Sequence, residues 1–304
     1  MRRDPGADED ELAGALEALA VLLDAGVTPE TAWAYLGEEL EHPAVRRVAS
    51  SVGAGARPVE ALQAVAGLAD NPAFGAIAAA WAVAEVAGAA LAPALRSTAV
   101  ALRDRAETAR EVDAALSGPR ATARLMGWLP MVGILMAGVI GVDVIGTLFQ
   151  SPPGWILLTL GTVLIAAGRI WTRRLVARTA TRGAVPGADL DLMAIALAGG
   201  MSVPTARSVI GEVRGRLRIP AVDNRALDRV LRVAERAGAP AVELLLASSQ
   251  QERRAARMAG RRSAATLAVR LLLPLGVCVL PAFLVLGVAP VILAMISSTL
   301  AGLV

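Results

Sequence analysis

The sequence predicts an all-α protein in which two duplicated helical-bundle domains are combined with about three transmembrane helices. Three observations favour this fold class. Of the 304 residues, 55% are hydrophobic and only 3% aromatic, and the mean hydropathy of +0.56 is high for a soluble chain of this length. The apolar residues are concentrated in long uncharged runs. The polar regions between these runs show helical periodicity, with glycine and proline at the helix ends.

Two uncharged runs near the middle of the chain predict a transmembrane hairpin over residues 125–171. The first run covers residues 125–142 and follows Arg120 and Arg124. The second covers residues 155–168 and is followed by an arginine cluster. At about 1.5 Å per residue, each run with its flanks can cross a hydrocarbon core of about 30 Å.

A third uncharged stretch, residues 271–304, predicts a membrane segment that we place at residues 267–304. It is longer than one straight crossing needs, and Pro281 and Pro290 can kink or break it. A single bent span and a re-entrant pair both fit, and we favour the single span.

Arginine is dense on one side of all three membrane segments and is missing from residues 143–154, between the first two. By the positive-inside rule, this places both polar regions in the cytoplasm. We therefore expect a multi-pass protein of the cytoplasmic (inner) membrane.

The composition excludes several kinds of catalytic chemistry. All thirty cationic side chains are arginine, and without lysine the chain can form neither a Walker A phosphate loop nor a Schiff base. The single histidine, His42, precedes Pro43 in a predicted exposed loop, and the single cysteine is Cys278. These two residues offer no zinc cluster or Cys/His pair in a familiar spacing. We expect no enzymatic activity, no cofactor and no metal site.

The first polar region, residues 11–124, follows an acidic tail at residues 1–10 and reads as a series of helices. Apolar residues at helical spacing predict a helix from Glu11 to Ala25. Thr28-Pro29, Pro58 and Asn71-Pro72 are typical helix starts. A charged helix is predicted over residues 91–116, with Ser117-Gly118-Pro119 breaking it before the membrane.

The second polar region, residues 172–266, repeats the first. Residues 22–39 align with residues 196–213, and residues 84–95 align with residues 234–245. The following residues form matched pairs and are our candidates for a partner-binding or structural motif: Gly26 with Gly200, Glu85 with Glu235, and Gly88 with Gly238.

The two glutamates of this motif have three possible roles. Each lies three residues before a glycine, where a carboxylate can cap the next helix or pair with an arginine of the basic helix that follows. Contact with a partner protein is the third possibility, and we favour the structural cap. The first fifty residues are acidic and the second polar region is arginine-rich, which favours docking between the two regions within one subunit or between subunits.

The order of motifs resembles the type II secretion F family, which includes the Tad/Flp pilus assembly platform proteins. The resemblance covers nearly the whole chain. It is carried by Leu22-Leu23, Ala25-Gly26, Gly55, Pro58-Val59, Ala61-Leu62, Ala84-Glu85, Ala87-Gly88, Gly199-Gly200, Ala234-Glu235 and Ala237-Gly238.

The resemblance implies a non-enzymatic membrane platform that couples a hexameric secretion ATPase to the assembly of pilin or pseudopilin subunits. Its expected partners are that ATPase, the pilins, the lipid bilayer and further platform subunits in a homo- or hetero-oligomer, with no nucleic acid. Two alternatives stay open. A membrane-anchored scaffold or regulator unrelated to pili would show the same topology, whereas a small transporter would normally place more ionisable residues inside its spans.

Overall fold

The structure, a computed structural model, describes residues 5–68, 71–139, 152–179, 185–220 and 225–292. All regular secondary structure in these ranges is helical, so the all-α prediction is confirmed. The helices of the first half are α1 (Pro5–Asp24), α2 (Pro29–Glu39), α3 (Pro43–Gly53), α4 (Pro58–Leu68), α5 (Pro72–Ala87) and α6 (Leu91–Val139).

After α7 (Pro152–Thr179) comes a second half made of four helices, and a further run of short helical segments follows them. The second half contains α8 (Ala188–Ala198), α9 (Val203–Leu217), α10 (Arg225–Ala237) and α11 (Ala241–Arg270). The segments after it are α12 (Leu272–Pro274), the π-helical turn π1 (Leu275–Val279), α13 (Leu280–Phe283) and the π-helical turn π2 (Leu284–Val288).

The chain divides into two compact units, each built from two separate stretches of sequence. The polar unit contains Met1–Glu111 and Arg182–Gly260, and the apolar unit contains Val112–Thr181 and Arg261–Val304. Most of both predicted polar regions therefore lies in a single compact unit. The exact domain boundaries that we expected stay a prediction.

The structure confirms the helix starts that were predicted in the first half. The Thr28 side chain accepts a hydrogen bond from the Thr31 N–H at the start of α2, and Asn71 accepts one from the Ala73 N–H at the start of α5. Helix α1 begins earlier than expected, at Pro5. The sequence reading missed α3, although its buried Val45, Val48 and Val52 follow helical spacing.

The predicted break at Ser117-Gly118-Pro119 is wrong, because α6 continues through it to Val139. A proline inside a helix removes only one N–H donor, and the hydrogen bonds of the neighbouring turns can hold a long helix together. The hydroxyl of Ser117 donates to the Ala114 carbonyl and so stays within the helix.

Helices α1 and α6 are held together by a ladder of ion pairs along their exposed edge. Asp24 pairs with Arg96, Glu17 pairs with Arg103, and Asp10 lies 3.2 Å from Arg110. Each step along α1 is seven residues back and each step along α6 is seven residues forward, as expected for antiparallel helices with one contact every two turns. The acidic residues of α1 are therefore paired within the first half.

The two halves of the polar unit meet where α5 lies against α8 and α9. Helix α5 is buried along most of its length. The closest approach is at Gly199, where an added Cβ would overlap the carbonyl oxygen of Ala87. A second contact, between α6 and α11, places Arg257 3.0 Å from Asp104 and 3.5 Å from Glu107. The hydrophobic core contains residues of both halves, and the ion pairs of Arg257 are a further link between them.

In the described residues, two helical stretches are long and apolar enough to cross a membrane. They are Pro152–Leu175 and Ala241–Ile292, which contain the second predicted span and most of the third. The first predicted span, residues 125–142, is helical to Val139 and then leaves the described residues, so this span stays a prediction.

The last apolar stretch contains three prolines, Pro274, Pro281 and Pro290, and stays helical from Leu272 to Ile292. Pro281 and Pro290 each lack an N–H for the carbonyl four residues earlier, and those carbonyls belong to Val277 in π1 and Leu286 in π2. The wider π-helical turns lie at the positions where the regular pattern is interrupted. Residues 293–304 lie outside the described residues, so the choice between a single bent span and a re-entrant pair stays a prediction.

Glycines repeated every seventh residue let α7 approach this stretch closely. Gly154, Gly161 and Gly168 are the buried glycines of α7. A Cβ at Gly161 would overlap the side chain of Leu286, and one at Gly168 would lie 3.1 Å from the Cβ of Cys278. Small residues at such a seam let helix backbones pack together where no hydrophobic effect favours association.

We expect Gly161→Leu to destabilise the apolar unit, because the larger side chain must displace Leu286. Overpacking of this kind costs about 1–3 kcal/mol. Thermal unfolding in detergent checks it, with Val163→Leu as the control because Val163 is 63% exposed on the same helix. Equal stability of the two variants would contradict the close packing of α7.

Candidate functional site

The four glycines of the predicted motif all end helices in the left-handed backbone region. The φ angles are 85° at Gly26 and 88° at its match Gly200, and 65° at Gly88 and 62° at its match Gly238. Glycine adopts this conformation without steric penalty. A Cβ at any of the four would meet nothing within 4 Å, so the backbone angle alone explains the choice of glycine.

The helices after the first pair of glycines also start in the same way. Thr28 and Ser202 each accept a hydrogen bond from the N–H three residues later, of Thr31 and Thr205, at 3.4 Å in both cases. Pro29 and Pro204 occupy the first turns of the two helices. These likenesses agree with the predicted repeat, which stays a prediction.

The two glutamates of the motif have different surroundings. Glu85 forms an ion pair with Arg57, which lies before α4. Arg57 is not on the following helix α6, where the arginine partner of one of the three possible roles would lie. The favoured role of the two glutamates as helix caps stays a prediction. Glu235 is exposed and forms no ion pair with any residue that the structure describes. The partner-binding role of the motif stays a prediction.

Glu235 lies on the wall of a groove of about 540 Å³ in the second half. The groove is lined by residues from α9, α10 and the beginning of α11: Val203, Arg207, Asp228, Leu231, Arg232, Ala234, Glu235, Ala239 and Ala241. Arg207 and Asp228 pair inside it. Arg207 aligns with Trp33, and continuing the second alignment three residues back matches Leu231 with Trp81. Both tryptophans are buried, with ring centroids 6.2 Å apart. The first half thus has buried aromatic rings at two positions that line the groove in the second half.

A buried ion pair joins α8 to α11 and was missed by the sequence reading. Asp191 is 7% exposed and pairs with Arg253, which is 4% exposed. Continuing the two alignments without gaps matches Asp191 with Glu17 and Arg253 with Arg103, and these residues of the first half form the corresponding pair at the exposed surface. The sequence contained a signal for this pair, because Asp191 interrupts the apolar run of α8, where an unpaired charge would be unfavourable.

The electrostatics of this pair are dominated by burial. Removal from water raises the pKa of Asp191 above its ordinary value, and the nearby Arg253 charge and the hydroxyls of Ser249 and Ser97 lower it by less. Ser249 also lies close to the start of α8, since a Cβ on Gly187 would be 2.8 Å from the Ser249 carbonyl oxygen. The joint between α8 and α11 is therefore tightly packed around a charged pair.

His42 is buried, contrary to the expectation of an exposed loop residue. It caps α3, because its Nδ1 accepts a hydrogen bond of 3.2 Å from the Ala44 N–H, and its ring centroid lies 5.9 Å from that of Phe74. Asp8 and Glu11 each place a carboxylate oxygen within 4.8 Å of a ring nitrogen of His42. Since Nδ1 accepts a hydrogen bond, the proton of the neutral ring is on Nε2, which favours hydrogen bonding over metal ligation.

We expect Arg253→Met to destabilise the polar unit by about 3–5 kcal/mol at neutral pH, because it leaves Asp191 buried without a counter-charge. Loss of the arginine also raises the pKa of Asp191 further. An acid whose folded pKa is raised contributes full stability below its unfolded pKa and loses it as the pH rises through the folded value. The penalty should therefore shrink as the pH falls from about 7 toward the ordinary pKa of an aspartate, about 4.

The matched control is Arg103→Met, which removes the exposed pair with Glu17 and should cost at most about 1 kcal/mol. Thermal unfolding of both variants across this pH range is the measurement. A penalty for Arg253→Met that is the same at every pH, or no larger than that of the control, would show that Asp191 is not buried as an ion pair.

One comparison with known proteins matches part of this architecture. Residues 15–139 match the family model T2SSF, described as type II secretion system (T2SS), protein F. The matched range begins inside α1 and ends with α6. No curated protein and no solved structure matches the chain. Over these residues, the chain is similar to the type II secretion system F family.

Proposed function

We propose that the protein is a non-enzymatic membrane platform of a Tad/Flp-type pilus or a type II secretion-like machine. The match of residues 15–139 to the type II secretion system F model is the observation that carries this proposal. The matched range includes the second half of α1 and all of α2 to α6, so it concerns a folded set of helices and no isolated motif. Two apolar helices long enough to cross a membrane also support it.

The proposed location is the cytoplasmic membrane, with the polar unit in the cytoplasm. Arginines at the ends of the apolar segments support this orientation, because positive residues are retained on the cytoplasmic side. The compact core of the polar unit, which contains residues from both halves, suits a platform that must transmit force without coming apart. We interpret the two halves as copies of one ancestral helical domain, on the basis of their matched turns and caps.

A hexameric secretion ATPase is the proposed motor partner. The chain has no lysine and hence no Walker A loop, so nucleotide chemistry has to come from another subunit. Pilin or pseudopilin subunits and other platform subunits are the remaining proposed partners. The groove beside Glu235 is the best candidate for protein contact, because it is open and contains charges of both signs.

We expect the full-length protein in detergent to retain a secretion-type ATPase of its source organism in a co-purification experiment. Glu235→Arg should reduce the retained amount several-fold, because it reverses an exposed charge on the groove wall. Glu212→Arg is the matched control, since Glu212 is also an exposed glutamate of the polar unit, 64% exposed in its side chain, and does not line the groove.

The possible outcomes separate the platform role from the role of the groove. Retention of the ATPase by all three proteins would support the platform and exclude the groove as the contact. Absence of retention by a folded, membrane-inserted wild-type protein would contradict the ATPase partnership and favour a scaffold unrelated to pili.

A further inference from the structure

The apolar unit carries a large excess of positive charge. It contains only two carboxylates, Asp113 and Asp143, against nine arginines: Arg120, Arg124, Arg169, Arg173, Arg174, Arg178, Arg261, Arg262 and Arg270. Uncharged runs, residues 125–142 and 144–168, separate Asp143 from the nearest arginines in the sequence. The carboxylates of the apolar unit therefore cannot neutralise most of its arginines.

Two of these arginines form an exposed cationic pair on α7. Arg169 and Arg173 lie four residues apart and hence on the same side of the helix. Both are exposed, and neither forms an ion pair with a residue that the structure describes. Like charges at this spacing repel each other, so an anion bound between them is stabilising. We call Arg169 and Arg173 the arginine pair.

Two exposed tryptophans of α7 indicate the depth of the arginine pair in a bilayer. Trp155 is 55% exposed and Trp171 is 40% exposed. At about 1.5 Å per residue they are about 24 Å apart along the helix, and tryptophan is enriched at both membrane–water interfaces. Arg169 lies two residues on the membrane side of Trp171, and Arg173 lies two residues beyond it. The arginine pair therefore brackets the level of the phospholipid headgroups.

The surface beside the arginine pair is apolar and belongs to two helical segments. At Gly168 an added Cβ would be 3.9 Å from the carbonyl oxygen of Pro274, and α7 also contacts α12. On α12, Leu272 and Leu273 are 56% and 57% exposed. Exposed apolar side chains thus lie at the same end of the glycine seam as the positive charges.

We propose that the arginine pair binds the headgroup of an anionic glycerophospholipid, whose acyl chains contact Trp171 and the exposed leucines of α12. The N–H groups of arginine match phosphate oxygens in charge and geometry. A lipid is favoured over other anions because it supplies both a phosphate at the depth of Trp171 and apolar chains for the residues beside it. This inference rests on the membrane location within the proposed function, and does not depend on the ATPase or the pilins.

The positive-inside rule does not by itself account for the arginine pair. That rule requires arginines on the cytoplasmic side of a span, but it does not fix their depth. Arg169 lies between the two tryptophans, where a charge without a counter-ion is costly. A bound lipid phosphate removes this cost. In a zwitterionic lipid the phosphate is already accompanied by a cationic group, so the pair should select an anionic lipid.

The test uses the full-length protein in a non-ionic detergent, with phosphatidylglycerol and phosphatidylcholine added in equal amounts. Native mass spectrometry then counts the lipids that the protein retains. We expect the wild type to retain phosphatidylglycerol in preference to phosphatidylcholine. Arg169→Gln with Arg173→Gln should weaken the binding of phosphatidylglycerol at least about tenfold, because two basic contacts with the headgroup are lost.

The matched control is Arg229→Gln with Arg236→Gln, which removes the same amount of charge from α10. Both residues are exposed, form no ion pair with a described residue and belong to the polar unit. This variant should retain phosphatidylglycerol like the wild type. Inorganic phosphate should not displace the lipid, because it lacks the acyl chains that contact Trp171.

Four results would overturn the proposal. Two of them are equal retention of both lipids by the wild type, and a loss in the arginine-pair variant no larger than in the control. Displacement of the lipid by inorganic phosphate would assign the pair to a soluble anion. Unchanged lipid binding with loss of a co-purified ATPase would assign it to an acidic partner protein.

Incorporation into lipid nanodiscs separates this inference from the proposed membrane location. A folded protein that does not enter nanodiscs would contradict the membrane location itself. A protein that enters nanodiscs but does not select phosphatidylglycerol would contradict only the lipid site.

Discussion

The close approach of α5 to the α8–α9 pair is the contact on which the polar unit depends. Two helical regions that are separated in the sequence by predicted membrane segments share one core because these helices meet. The approach requires Gly199, since an added Cβ would overlap the Ala87 carbonyl oxygen. The aligned residue of the first half is Ala25, an exposed position where no helix approaches closely. The two halves thus differ at the position where α8 contacts α5, which is glycine in the second half and alanine in the first.

The charged residues of the polar unit also include features that the two halves share and features in which they differ. Glu17 with Arg103 and Asp191 with Arg253 are aligned pairs, but the first is exposed and the second is buried. Trp33 and Trp81 are buried in the first half, whereas the matching residues Arg207 and Leu231 line an open groove in the second half.

Local signals allowed much of this fold to be predicted. Thr28-Pro29 and Asn71-Pro72 fixed two helix starts, and the uncharged runs located two of the candidate spans. The prediction of a helix break at Pro119 was wrong. The sequence shows that proline lacks an N–H donor, but it does not show that the neighbouring helical turns hold the helix together. The partner of Glu85, the pairing of Asp191 with Arg253 and the close approach of Gly199 to Ala87 could not be foreseen, since each depends on helices that are distant in sequence.

The most direct test of a shared core is Gly199→Ala, with Gly211→Ala as its control. Alanine is the better helix former by about 1 kcal/mol, and a Cβ at Gly211 meets nothing within 4 Å, so the control should gain stability. Gly199 has an ordinary φ of −77°, so only the contact with α5 opposes alanine there. If unfolding in detergent shows a loss of stability for Gly199→Ala and a gain for Gly211→Ala, the two halves fold as one unit. A gain for both would show that α5 and α8 do not meet as described.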